Sequence, residues 1–177
     1  MKKLHLAAGN DDFRQSQKYI QIKGGFVYAT NSHVFVKFPL NEVFGENGPF
    51  NQDSEFYILA SNWKQVGFDK ALKFTKDSEF LTAYGKKDTV LGLIKMMDAE
   101  TFKKEIGNYP PIDSIIPTTE LVEITKISFN PKLLKDITDC LDSERYSFEF
   151  RGENKIIMIK ALDSEVVAGI MPVMPLK

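Results

Sequence analysis

The sequence is short of the residues that carry out chemistry or cross membranes. It has one cysteine, Cys140, in 177 residues, so an intrachain disulfide is excluded and a reducing compartment is expected. Its two histidines, His5 and His33, have no cysteine or carboxylate at metal-ligand spacing, so neither a metal site nor a cofactor is expected. No GxxxxGK element occurs, Gly24-Gly25 being an isolated pair between strand-like runs, and no Gly-x-Ser-x-Gly elbow. An excess of one charge is also lacking. With 23 basic against 24 acidic side chains the net charge is −1, which excludes gripping nucleic acid by bulk charge and leaves room for a local basic face. Long apolar runs are absent too. The N-terminal stretch MKKLHLAA stops at Gly9, too short for a secretory signal, and nothing approaches the roughly 18 apolar residues of a membrane span. A cytoplasmic protein that is not an enzyme is expected.

What is there is a soluble α+β pattern, 43% hydrophobic and 27% charged. Short runs rich in β-branched and aromatic residues recur: KYIQI, GFVYAT and HVFVKF, then FYILA, ALKFT, EFLTAY and TVLGLIKM, then RYSFEF, KIIMIK and EVVAGIMPV. Lys23-Gly24-Gly25 and Asn31-Ser32 punctuate the first three as hairpins. The clearest helix follows Asn130, an N-cap with Pro131 at the first helical position. Leu133, Leu134, Ile137, Cys140 and Leu141 form its apolar stripe, where Cys140 reads as a buried, inert thiol. SNWKQVG, with Ser61 as N-cap, and DAETFKKEIG read as shorter helices.

The order strand, helix, strand, strand, strand occurs twice. ALKFTKDSEFLTAY and SFEFRGENKIIMIK share their apolar alternation and their polar turn, and TVLGLI and EVVAGI fall at the same offset. The expected organisation is a truncated unit over residues 1–50, with three strands, no helix and a connecting loop. One complete domain over 51–177 follows, made of βαβββ units at 53–98 and 124–177 joined by the Pro-rich NYPPIDSIIP. The antiparallel sheets should continue from block to block, with short helices on one face. Lys64, Lys132 and Lys135, with Lys103 and Lys104, lie off the apolar stripes. If equivalent helices share a surface, they offer phosphates a sequence-independent face.

Four stretches, in order, resemble the bacterial DNA polymerase III beta subunit, the sliding clamp. ATNSHVFVKF is similar to the family's Ala-Thr-Asp-Gly-His-Arg-Leu-Ala corner at Ala29, Thr30 and His33, with Asn31, Ser32, Val34 and Phe35 in place of Asp, Gly, Arg and Leu. NYPPIDSIIP resembles Phe-Pro-Asp-Tyr-x-x-Val-Leu-Pro through Tyr109, Pro110, Ile115, Ile116 and Pro117. SFNPKLLKDITDCL resembles the helix entry of the clamp's last domain, and AGIMPVMPLK its ending through Ile170, Met171, Pro172 and Val173. The likeness runs from about Tyr19 to Val173 and is that of a shortened, divergent member, whose βαβββ units correspond to the family's half-domains.

The resemblance implies a non-catalytic processivity-factor role in DNA replication or repair. It implies a pocket for linear peptide motifs of polymerases and other DNA-processing partners, with Thr30, His33, Phe35, Pro110, Ile115, Met171, Pro172 and Val173 at the matching positions. Thr30 and His33 would hydrogen-bond the peptide. Duplex DNA is an expected partner only if a homo-oligomeric ring closes, of about four copies if the family's spacing is kept. Lys64, Lys132 and Lys135 would then face the DNA, although the corner arginine is replaced by Val34. The alternative is a stand-alone adaptor or decoy, of the kind a phage or mobile element carries, that binds clamp-interacting peptides without encircling DNA.

Overall fold

The computed structural model describes residues 3–66, 71, 73–124 and 126–173. Its frame is one ten-stranded antiparallel sheet in the order β5-β6-β7-β4-β1-β2-β3-β10-β9-β8. The first block supplies the centre: β1 (Tyr19–Lys23), β2 (Phe26–Thr30) and β3 (Val34–Pro39). Gly24 and Gly25, at φ +59° and +86°, close the first hairpin in a backbone region that side chains avoid. At the second, Asn31 Oδ1 accepts from the His33 and Val34 amides, both at 3.0 Å, and Ser32 takes φ +73°. His33 therefore sits in the turn, and its strand begins one residue later.

The second block flanks this centre on one side through β4 (Glu55–Leu59), which pairs with β1, and continues to β7 (Val90–Asp98), β6 (Phe80–Tyr84) and the edge strand β5 (Lys73–Lys76). The third flanks it on the other side through β10 (Val167–Ile170), which pairs with β3, then β9 (Ile157–Ala161) and the edge strand β8 (Tyr146–Glu149). A strand expected to open the third block does not form among the described residues. The chain there makes single backbone bonds, Val122 N to Phe150 O at 2.9 Å and Val173 N to Ser128 O at 2.7 Å. Leu121, Val122 and Glu123 are all exposed, so no alternating burial fixes a ladder register.

The two faces of the sheet are covered differently. On one, Ile20, Ile22, Val27, Ala29, Val34, Val36 and Phe38 are buried with Ile58, Ile157 and Ile159 in the main core. Helices α1 (Leu40–Phe44), α2 (Ala60–Gln65) and α5 (Pro131–Leu141) cover this face with Val43, Phe44, Trp63, Ile137, Cys140 and Leu141. Asn130 caps α5, its Oδ1 accepting from Lys132 N at 2.9 Å. Ser61 is not the cap of α2, because β4 turns straight into that helix at Leu59 without a side-chain cap. The first block, expected to carry no helix, has the short α1 in what reads as its connecting loop, because Val43 and Phe44 are buried there. A 3-10 turn at Leu4–Leu6 buries Leu4 and Ala7 against α2, α5 and β2.

The opposite face carries α3 (Ala99–Glu105) and a strap running from Tyr109 to Pro117. Asp98 caps α3, and Phe102 stacks on Tyr57 at 3.7 Å between ring centroids. In the strap, the single turn α4 (Ile112–Ile115) buries Ile112 against Tyr28, Phe35 and Met158. Because α3 lies on this side, Lys103 and Lys104 do not share a surface with the lysines of α2 and α5. No described helix is long and apolar enough to cross a membrane.

Candidate functional site

The strap is fixed to the sheet by polar bonds at its start. The Tyr109 hydroxyl reaches the carbonyl oxygens of Tyr19 at 3.1 Å and Tyr28 at 3.3 Å. Burial pushes its ionisation well above the ordinary tyrosine range. Asp113 accepts from the Tyr28 hydroxyl at 2.9 Å and pairs with Lys37 at 2.7 Å, while Lys37 lies 4.1 Å over the Phe26 ring. Burial, then the bond to Asp113, raises the Tyr28 ionisation. At the far end Arg151 donates to Thr119 O and pairs with Glu149 at 3.0 Å.

So held, the strap walls a cleft of about 650 Å³. Its opposite wall is the β2–β3 corner with the end of β10. The floor is Phe35 and Gly169, and Ile115, Ile116, Ile156 and Met171 give the walls an apolar surface. Gln17, Ser32, His33, Thr118, Thr119 and Asn154 form a polar rim, and Lys155 is the one charged lysine, arginine or carboxylate side chain among the lining residues. The corner and the wall are stitched together, since Met171 N donates to His33 O at 2.8 Å.

Six of the eight positions expected in a pocket therefore meet in this cleft: Thr30, His33, Phe35, Pro110, Ile115 and Met171. Pro172 and Val173 do not line it. Val173 turns to Ser128 instead, and Pro172, lacking an N–H, separates that bond from the one at Met171. Thr30 is buried, and its hydroxyl donates to Val34 O at 2.7 Å and accepts from Ser32 N at 3.3 Å. Its hydrogen is thus committed to the corner, and it retains only acceptor capacity. His33 is exposed at the rim. Asn154, Lys155 and Gly169 escaped sequence reasoning; only the pairing of β10 between β3 and β9 brings them here.

On the helix-bearing face, Lys64 of α2 and Lys132 of α5 line one concavity together with Lys18, His5 and Asp136. Lys135 is tied to Asp139 one turn on, which raises the lysine's ionisation and lowers the carboxylate's. Among the described residues no cluster of His, Cys, Asp and Glu could hold a metal ion.

This chain has the fold of the DNA polymerase sliding clamps. The matching solved structures include the DNA polymerase III beta subunit of Thermotoga maritima, TM-score 0.64 at 13% identity over 98% of this chain. They also include the Pseudomonas aeruginosa sliding clamp, solved with ligand, at 0.64 and 12% over 98%, and that of Bacillus subtilis at 0.63 and 13% over 97%. This chain spans less than two thirds of those proteins' own lengths: 63%, 64% and 60%. Neither a protein-family model nor a curated protein matches the chain by sequence.

Proposed function

We propose that this chain is a non-catalytic, clamp-type docking protein of DNA replication or repair whose cleft binds a short linear peptide of a polymerase or another DNA-processing partner. The observation that carries this reading is the convergence of Thr30, His33, Phe35, Pro110, Ile115 and Met171, far apart in sequence, on one apolar cleft with a polar rim. A groove of this size buries little area and must order its ligand, so affinity should be on the order of micromolar. A fluorescent peptide carrying a glutamine and a Leu-Phe pair tests it. The wild type should bind saturably, and Met171→Ala or Ile115→Asp should cost about tenfold or more with the fold intact. Absence of saturable binding at millimolar protein refutes docking.

A second reading, a homo-oligomeric ring around duplex DNA, is favoured by the free edges. Among the described residues β5 and β8 each have one neighbour and terminate opposite ends of the same sheet. Ten alternating strands make the two edges antiparallel in sense, so β8 of one copy can pair with β5 of the next. Light scattering decides between this and a stand-alone adaptor, because a monomer cannot encircle DNA.

A further inference from the structure

The lysine-bearing concavity has a carboxylate of the chain's own beside it. Before β1 the chain loops out from Gly9 to Gln17, and Gly9 N closes the base of the loop by donating to Gln17 O at 2.8 Å. Within it Asp11 Oδ1 accepts from Phe13 N at 2.8 Å, and Gln15 Nε2 donates to Asp12 O at 2.8 Å. Asp12 is thereby held in place, with its Oδ1 2.5 Å from Nζ of Lys18. Lys18 lines the concavity with Lys64 and Lys132, as does Asn10 of the same loop. The bond to Lys18 holds the Asp12 carboxyl below the ordinary aspartate range. Ion pairs between two mobile surface side chains contribute little, because ordering both costs entropy. Here little is left to order: the loop is tied at its base and at Asp12, and the Lys18 side chain is only 23% exposed. Asp12 is the outer partner, 86% exposed, so an anion arriving from solvent meets the carboxylate before the ammonium. Lys135 is tied to Asp139 in the same way, whereas Lys64 and Lys132 make no ion pair among the described residues.

We infer that Asp12 occupies the place of a phosphate at Lys18, withholding this lysine from duplex DNA and leaving Lys64 and Lys132 to make the contacts. This inference rests on the duplex reading above. Each lysine that meets a phosphate releases a counterion and tightens the hold on the backbone. A chain that answers one of its own lysines with a carboxylate keeps that hold loose, and the duplex can be moved along rather than gripped.

Fluorescence anisotropy of a short labelled duplex, titrated with the full chain between about 50 and 200 mM salt, counts the phosphate contacts. The count is the slope of log affinity on log salt. Asp12→Asn keeps the shape of the side chain and removes its charge. It should tighten binding at low salt and steepen the slope by about one unit, as one more lysine joins the contact. Asp11→Asn makes the same change in net charge one residue away and retains the oxygen that accepts from Phe13 N, so it should leave the slope as in wild type. Lys18→Gln should change wild type little, yet cancel the gain of Asp12→Asn, the mark of two residues acting as one. A slope in Asp12→Asn equal to that of wild type overturns the inference. So does equal steepening in Asp11→Asn, since bulk charge would then account for it. A steepening that survives Lys18→Gln overturns it as well. If wild type and Asp12→Asn both fail to bind duplex at low salt, the duplex reading falls and the inference falls with it; binding with unchanged slopes removes the inference alone.

Discussion

Removing one oxygen at Tyr109 isolates the attachment of the strap. Its hydroxyl is aimed at two carbonyls of neighbouring strands, Tyr19 O and Tyr28 O, and the ring packs near Tyr57 and Phe102. Tyr109→Phe keeps the ring and should cost about 1 kcal/mol in urea unfolding, the usual net worth of one such bond. A larger loss in peptide affinity than in stability would show that the strap's position sets the cleft. Glu149 gives a pH test. Its bond to Lys160 at 2.6 Å, then that to Arg151, hold its carboxyl below the ordinary glutamate range. A carboxylate whose folded-state ionisation is depressed stabilises the fold above its unfolded-state value, and that contribution disappears as pH falls through the folded-state value. Stability measured from neutral to acid pH should therefore fall less steeply in Glu149→Gln than in wild type. Parallel curves would deny this carboxylate a role.

At the scale of elements, the 3-10 turn at Leu4–Leu6 packs against the helices α2 and α5 of the other two blocks. Leu4 is fully buried between α2 and α5, so Leu4→Ala should destabilise by about 2–5 kcal/mol, and calorimetry should show a lowered Tm. A surface-like loss of a few tenths would place the turn outside the core. The sequence hid this element because three residues are too few for a helical period, and its neighbours Lys3 and His5 are polar. Strands were legible since alternation survives in a one-residue register: Val34, Val36 and Phe38 face the main core, while Phe35 and Lys37 face the strap. The corner and strap residues were legible only through family likeness. Alternation alone marks Phe35 as facing away from the main core without saying what lies above it. Gly169 and Lys155 could not have been assigned, because the cleft forms only when β10 pairs with β3 across some 130 residues of chain. The face of α3 was equally hidden: an amphipathic helix announces a buried stripe, not the side of the sheet that receives it.

For the whole molecule, the helix-bearing face offers a charge test of the ring. Lys64 and Lys132 share a concavity, whereas Lys135 is neutralised by Asp139. If copies close around DNA, Lys64→Glu with Lys132→Glu should abolish retention on circular duplexes, and wild-type retention should fall steeply with salt. Lys135→Glu should matter less. Equal retention in the double variant removes this face from DNA contact.

The order of strands also governs how the protein is born. The centre of the sheet is made first by the ribosome and its flanks later, so β3 leaves the exit tunnel with one side bare. Nothing covers that side until β10 has been synthesised, and closing such a distant pair is slow. During that interval β3, with Val34, Phe35, Val36 and Phe38 in sequence, is an adhesive edge in search of any passing strand. A stop codon anywhere before Val167 makes the interval permanent. Such products should be met in the cell as aggregates or as clients of chaperones, even when most of the fold's residues are present.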